Sequence, residues 1–170
     1  MTGQPCDNIV IDVVRHDDDL RAVATLFREY RQWLDQSVCF ENFEEELATL
    51  PGSYSPPAGE LWLARRNGEP IGVVGVLRYD GDRAENACEM KRLYVCDSAR
   101  GLGLGRELAV RCLKWARNAG YDLVALETFE TLDAAWSLYI SLGFVESAGV
   151  HDKPLNAPVF LTCHVEDRAG

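Results

Sequence analysis

The stretch Ala99–Leu108, ARGLGLGREL, sets a glycine at every second position from Gly101 to Gly105 and then an arginine, Arg106. Glycines at that density let a backbone come close to a ligand and take conformations that a Cβ disfavours. Upstream, NACEMKRLYV (Asn86–Val95) reads as a strand; downstream, Leu108, Cys112, Trp115 and Ala116 mark one face of a helix that ends near Gly120. The loop therefore joins a strand to a helix. The helix's first N–H groups, unpaired within the helix, and its positive dipole end face the loop, which suits an anion such as a pyrophosphate. Five basic residues (Arg100, Arg106, Arg111, Lys114, Arg117) stand against two acids between Asp97 and Gly120, in a chain whose net charge is -10.

Three readings of the loop follow. A P-loop requires Gly-Lys followed by Ser or Thr, and here Gly105 precedes Arg106 and Glu107. A dinucleotide site requires Gly-x-Gly-x-x-Gly in a βαβ unit with an acid ending the next strand. Glu127 would be that acid, but the third glycine comes one residue early. The third reading is a tight connection that binds nothing.

Outward from the loop, ELWLARR, IGVVGVLRYD and NACEMKRLYV, separated by the turns NGEP and DGDR, predict an antiparallel meander of three strands. Before it come a strand, IVIDVV (Ile9–Val14), and a helix capped by Asp17, with Leu20, Val23, Ala24, Phe27, Tyr30 and Leu34 at helical spacing. A short helix carrying Phe40, Phe43, Leu47 and Leu50 ends at Pro51. After the loop and its helix, DLVALET predicts a strand, LDAAWSLYISLG a helix, and FVES and PVFLTCHV two final strands. No repeat or low-complexity segment interrupts the chain, so residues 1–170 read as one domain.

The acidic balance opposes nucleic acid and anionic membranes. Six cysteines (Cys6, Cys39, Cys88, Cys96, Cys112, Cys163) lie scattered, without Cys-x-x-Cys pairs or metal-ligand spacing, and read as free thiols. With no leader-like N-terminus or membrane-length apolar run, the expectation is a cytoplasmic protein that binds no metal.

Two motifs carry a family resemblance. Arg100, Gly103 and Gly105 match Gln/Arg-x-x-Gly-x-Gly/Ala, and Ala135, Leu138, Tyr139, Gly143 and Phe144 match Ala-x-x-Leu-Tyr-x-x-x-Gly-Phe. In this order and on these elements, the chain resembles the GNAT family of acyl-CoA-dependent N-acetyltransferases. The resemblance implies an α/β (α+β) domain whose mostly antiparallel mixed sheet is splayed at its centre and flanked by helices. It also implies acetyl-CoA as acyl donor, held by the backbone of Leu93, Tyr94 and Val95 and by Arg100, Gly101, Leu102, Gly103, Leu104, Gly105 and Arg106. Leu132 departs from the pattern, since many members carry asparagine there. The acceptor implied is a small-molecule or peptide amine, and the protein a monomer or homodimer. A non-catalytic acyl-CoA-binding sensor is the alternative.

By the same resemblance, Glu89 is the base that deprotonates the amine and Tyr139 the acid that protonates the departing sulfur. A surface carboxylate and a packed core ring are the plain readings of the two. Strict alternation puts Glu89, Lys91, Leu93 and Val95 on one face and Met90, Arg92, Tyr94 and Cys96 on the other, so both faces carry charge and a cleft or bulge must open there. Glu41, Glu44, Glu45 and Glu46 either attract a cationic acceptor or form a solvated helix face. His151 falls where related sequences place a ring near the cleft.

Overall fold

The computed structural model describes residues 8–34, 40–147 and 157–165. His151, Cys6 and Cys39 lie outside them. Seven strands form one mixed sheet in the order β1-β2-β3-β4-β5-β7-β6: β1 (Ile9–Val13), β2 (Glu60–Arg66), β3 (Glu69–Arg78), β4 (Ala87–Val95), β5 (Leu123–Thr128), β6 (Val145–Glu146) and β7 (Val159–His164). The helices are α1 (Asp17–Leu34), α2 (Phe43–Ala48), α3 (Leu104–Asn118) and α4 (Asp133–Ser141).

The predicted meander is present as β2-β3-β4, and β1 adds to it antiparallel. Asn67 and Gly68, both at positive φ, make the two-residue turn between Arg66 and Glu69. That geometry matches the right-handed twist of the strands it joins. The helix read as capped by Asp17 starts at Asp17 itself, and α2 is shorter than its apolar pattern, with Phe40 in the turn before it.

Two cores sandwich the sheet. One holds Leu104, Leu108, Cys112 and Ala116 of α3 with Cys88, Met90, Val124 and Tyr139; the other holds Val23, Leu26 and Phe27 of α1 with Phe40, Phe43, Tyr54 and Tyr94. Cys88, Cys96, Cys112 and Cys163 are free thiols.

Strict alternation fails in β4. Val73 pairs with Tyr94 but Gly75 with Lys91, so the two β4 residues Arg92 and Leu93 stand opposite Val74 alone. This is a β-bulge, and Arg92 takes a left-handed φ of 59° to make it. Beyond the extra residue the faces exchange: Met90 belongs to the α3 core, whereas Arg92 lies over the rings of Phe40 and Phe43 in the other layer. Met90 and Arg92 thus point to opposite sides, against the alternation reading.

Candidate active site

The centre of the sheet is split. β4 and β5 run parallel and pair only at Ala87–Leu123, Cys88–Val124 and Glu89–Ala125. Past Glu89 the strands part, leaving one edge of β4 without a strand neighbour among the described residues. The Cys96 N–H donates to the Ile71 carbonyl at 2.9 Å. In an antiparallel ladder hydrogen-bonded pairs alternate with non-bonded ones, so Tyr94 is committed to Val73 and the backbone groups of Val95 turn to the open edge. There Arg100 Nε donates to the Val95 carbonyl at 3.2 Å.

The split opens into a cavity of about 430 Å³. Leu93, Tyr94 and Val95 form one wall, and Arg100, Gly101, Gly103, Leu104, Gly105 and Arg106 form its end. Leu102 is not among the lining residues and is 54% exposed. At the N-terminus of α3, Gly103 occupies the cap position at φ 75° with no side-chain cap bond, and a Cβ there would meet nothing within 4 Å. The N–H groups of Leu104, Gly105 and Arg106 have no intrahelical partner, and none has another partner among the described residues. Arg106 Nη2 donates to Ser141 Oγ at 2.5 Å, and Arg100 Nη1 lies 2.8 Å from Asp97 Oδ1. Bare N–H groups on a positive helix end beside two guanidiniums form a receptor for an anion, and the open edge above it accommodates an extended chain.

At the apex of the split lies a smaller recess of about 60 Å³. Glu89 and Tyr139 both line it, and Tyr139 also lines the larger cavity. Burial pushes the Glu89 carboxyl above its ordinary range, with Glu127 and Glu46 adding to the rise and Lys91 and Arg92 opposing it. Burial also drives the Tyr139 phenol far above its usual value, and its hydroxyl has no hydrogen-bond partner among the described residues. One group is thus a carboxyl of strengthened basicity, the other a phenol that keeps its proton.

Behind the recess, Arg92 and Glu46 form an ion pair whose side chains are 4% and 17% exposed. Arg92 donates to Glu46 Oε1 from Nε (3.1 Å) and to Oε2 from Nη2 (2.5 Å), and the Tyr54 hydroxyl donates to Oε1 at 2.5 Å. Burial alone would raise the Glu46 carboxyl; the bonds and charge of Arg92 and the bond from Tyr54 outweigh it and hold the group below its ordinary value. Of the four acids near α2, Glu46 is therefore spent on structure, and Glu44 pairs with Arg31 at 3.1 Å. Glu41 and Glu45 face a separate hollow with Lys91.

Sequence reasoning missed Tyr30 and Trp33 of α1, which line the large cavity, and the clamp made by Arg92. Tyr30 lies on the apolar stripe of α1, but nothing in that stripe points to a cavity. Leu132, the departure from the family pattern, lines both the cavity and the recess.

The split sheet thus brings the helix N–H groups and two guanidiniums at its mouth and the Glu89 and Tyr139 side chains at its apex to two adjoining cavities that share Tyr139. The sequence model of the Acetyltransferase (GNAT) family matches residues 20–144. An uncharacterized N-acetyltransferase of Schizosaccharomyces pombe is 35% identical over 155 residues, 91% of this chain and 93% of its own. Another of Dictyostelium discoideum is 28% identical, over 81% of this chain and 90% of its own. YncA of Salmonella typhimurium, solved with its cofactor acetyl-CoA, shares the fold at a TM-score of 0.72 and 21% identity, over 95% of this chain and 96% of that one. The chain belongs to the GNAT acetyltransferase family.

Proposed function

We propose that this protein moves an acetyl group from acetyl-CoA to a primary amine, directly, with both bound at once. The observation that carries the reading is the open edge of β4 ending at the bare N–H groups of Leu104, Gly105 and Arg106. The donor set suits coenzyme A: those N–H groups with Arg100 and Arg106 would hold the pyrophosphate, and the edge at Leu93 and Val95 would hold the pantetheine arm. Bound acetyl-CoA supplies an acyl group as a thioester, whose thiol has an ordinary pKa of about 8.5 and leaves readily.

An alkyl ammonium has a pKa of roughly 10, so about one molecule in a thousand is nucleophilic at neutral pH. Glu89 takes the proton from the ammonium in the recess; its raised pKa makes it a better base than an exposed carboxylate. Tyr139 gives a proton to the departing sulfur, which the phenol has retained because burial disfavours the phenolate. Leu132 leaves the cofactor without the amide contact that an asparagine would make, so binding there rests on backbone and arginines.

A panel of primary amines offered with acetyl-CoA, read by thiol release, tests the reading. Thiol release with at least one amine is expected, together with a rise in melting temperature on adding coenzyme A. A rise with NADH and none with coenzyme A overturns the cofactor assignment. Coenzyme A binding without turnover for any amine leaves the sensor alternative in its place.

A further inference from the structure

Trp33, on the last turn of α1, is 44% exposed, the most exposed aromatic side chain among the described large hydrophobic residues. It lines the cavity, and the Arg100 guanidinium carbon lies 4.6 Å from its ring centroid. Tyr30 stacks beside the indole at 6.2 Å and 23°, and Tyr94 packs at 6.3 Å, so the ring is itself held in place. Arg100 is constrained from three directions: the indole covers a face, Asp97 takes an Nη1 contact, and the Val95 carbonyl takes Nε–H. A guanidinium has five N–H donors in one plane, and a ring on its face leaves that plane's edge open. Nη2 carries no partner among the described residues.

We infer that Trp33 is a positioning residue for cofactor binding: its indole holds the Arg100 guanidinium at the cavity mouth with the free edge presented to the phosphates. The inference rests on the proposal that the ligand is coenzyme A. It also joins α1 to the glycine loop, two segments that sequence reading treats as unrelated. Ring and cation meet at a partly exposed site, where such a contact is modest, so its loss should weaken coenzyme A binding by about two- to five-fold.

Calorimetric titration of coenzyme A into the full chain tests this in a double-mutant cycle of Trp33→Leu and Arg100→Ala, with circular dichroism confirming the fold. Trp33→Leu should cost the two- to five-fold loss in the parent and nothing further in the Arg100→Ala background. Trp33→Phe, which keeps a smaller π face, should fall between parent and Trp33→Leu. Equal losses in both backgrounds, or equal losses for Leu and Phe, make the indole a plain wall and overturn the inference while leaving the cofactor assignment standing. No binding of coenzyme A to the parent protein overturns both.

Discussion

At the mouth of the cleft the groups facing the cavity are backbone N–H donors from consecutive residues, Leu104 to Arg106, presented by a helix end and a glycine at φ 75°. At the apex they are side chains from separate places: Tyr30 and Leu34 of α1, Glu89 of β4, Leu126 of β5 and Tyr139 of α4. The N–H donors of the mouth need only local chain geometry, although Trp33 reaches Arg100 there from α1, while the apex needs the whole fold to be in register. Damage at the mouth should therefore appear as lost cofactor affinity, and damage at the apex as lost turnover or lost stability.

The largest effect expected is on turnover. Glu89→Gln should lower kcat by roughly a hundred- to ten-thousand-fold, the usual contribution of a proton-transfer group, and leave coenzyme A affinity nearly unchanged. The deficit should shrink at high pH, where the amine loses its proton unaided. Because the folded-state pKa of Glu89 is raised, its contribution to stability is full below the unfolded carboxyl pKa and is lost as pH rises through the folded value. At pH 8 the variant should therefore melt no lower than the parent. A lower melting temperature there, falling in step with kcat, would make Glu89 a structural residue.

Arg92→Met strands Glu46 without its guanidinium, and breaking one side of a buried pair costs roughly 3–5 kcal/mol. Chemical denaturation at pH 7 should show that loss. Glu46 has a lowered folded-state pKa, so the parent's clamp contributes above the unfolded carboxyl pKa and fades as pH falls through the folded value. The gap between parent and variant should narrow toward acid pH; a constant gap would mean that packing on Phe40 and Phe43, not charge, carries the effect.

Tyr139→Phe keeps the ring that packs edge-on against Phe144 at 5.7 Å and deletes a hydroxyl that has no partner among the described residues. Stability should hardly move, and kcat should fall about a hundred-fold or less, because the thiolate already leaves well. An acyl donor with a more acidic thiol should recover part of the rate. Undiminished kcat in the folded variant would remove the acid role.

The smallest effect on turnover is expected at the mouth. A Cβ at Gly103 meets nothing within 4 Å, so Gly103→Val should cost only the strain of a β-branched residue at φ 75°, about 1–3 kcal/mol. Coenzyme A affinity should fall about ten-fold or more, because a side chain then stands where phosphates approach. Unchanged affinity in a folded variant would take the loop out of the site.

The same division governs what the sequence could tell. The glycine loop, the meander and α3 are local patterns: Gly101 to Gly105, the Asn67-Gly68 turn and the apolar face of α3 each declare themselves within a few residues. Glu89 and Tyr139 were reached through motif resemblance, and the structure brings both to one recess. The facing of Arg92 was misread because a bulge adds one residue and reverses every side chain after it, and alternation has no means of locating that residue. Its partner Glu46 lies 46 residues away, and the two carry no shared spacing. The four glutamates near α2 look alike in sequence, and only packing separates Glu46, bound to Arg92 and Tyr54, from Glu41 and Glu45.

The short ladder between β4 and β5 also acts as a ruler. Pairing stops at Glu89–Ala125, and the open edge then runs from Met90 to Val95 before the chain turns toward α3. At about 3.3 Å per residue those six positions span about 20 Å, less whatever the bulge at Arg92 takes up. A ligand anchored by its anionic end at Leu104–Arg106 therefore has the distance to its other end read off in strand residues, with Glu89 as the zero mark. Lengthening the ladder by one pair would shift that mark by one residue and leave the same ligand's tip beside a different side chain.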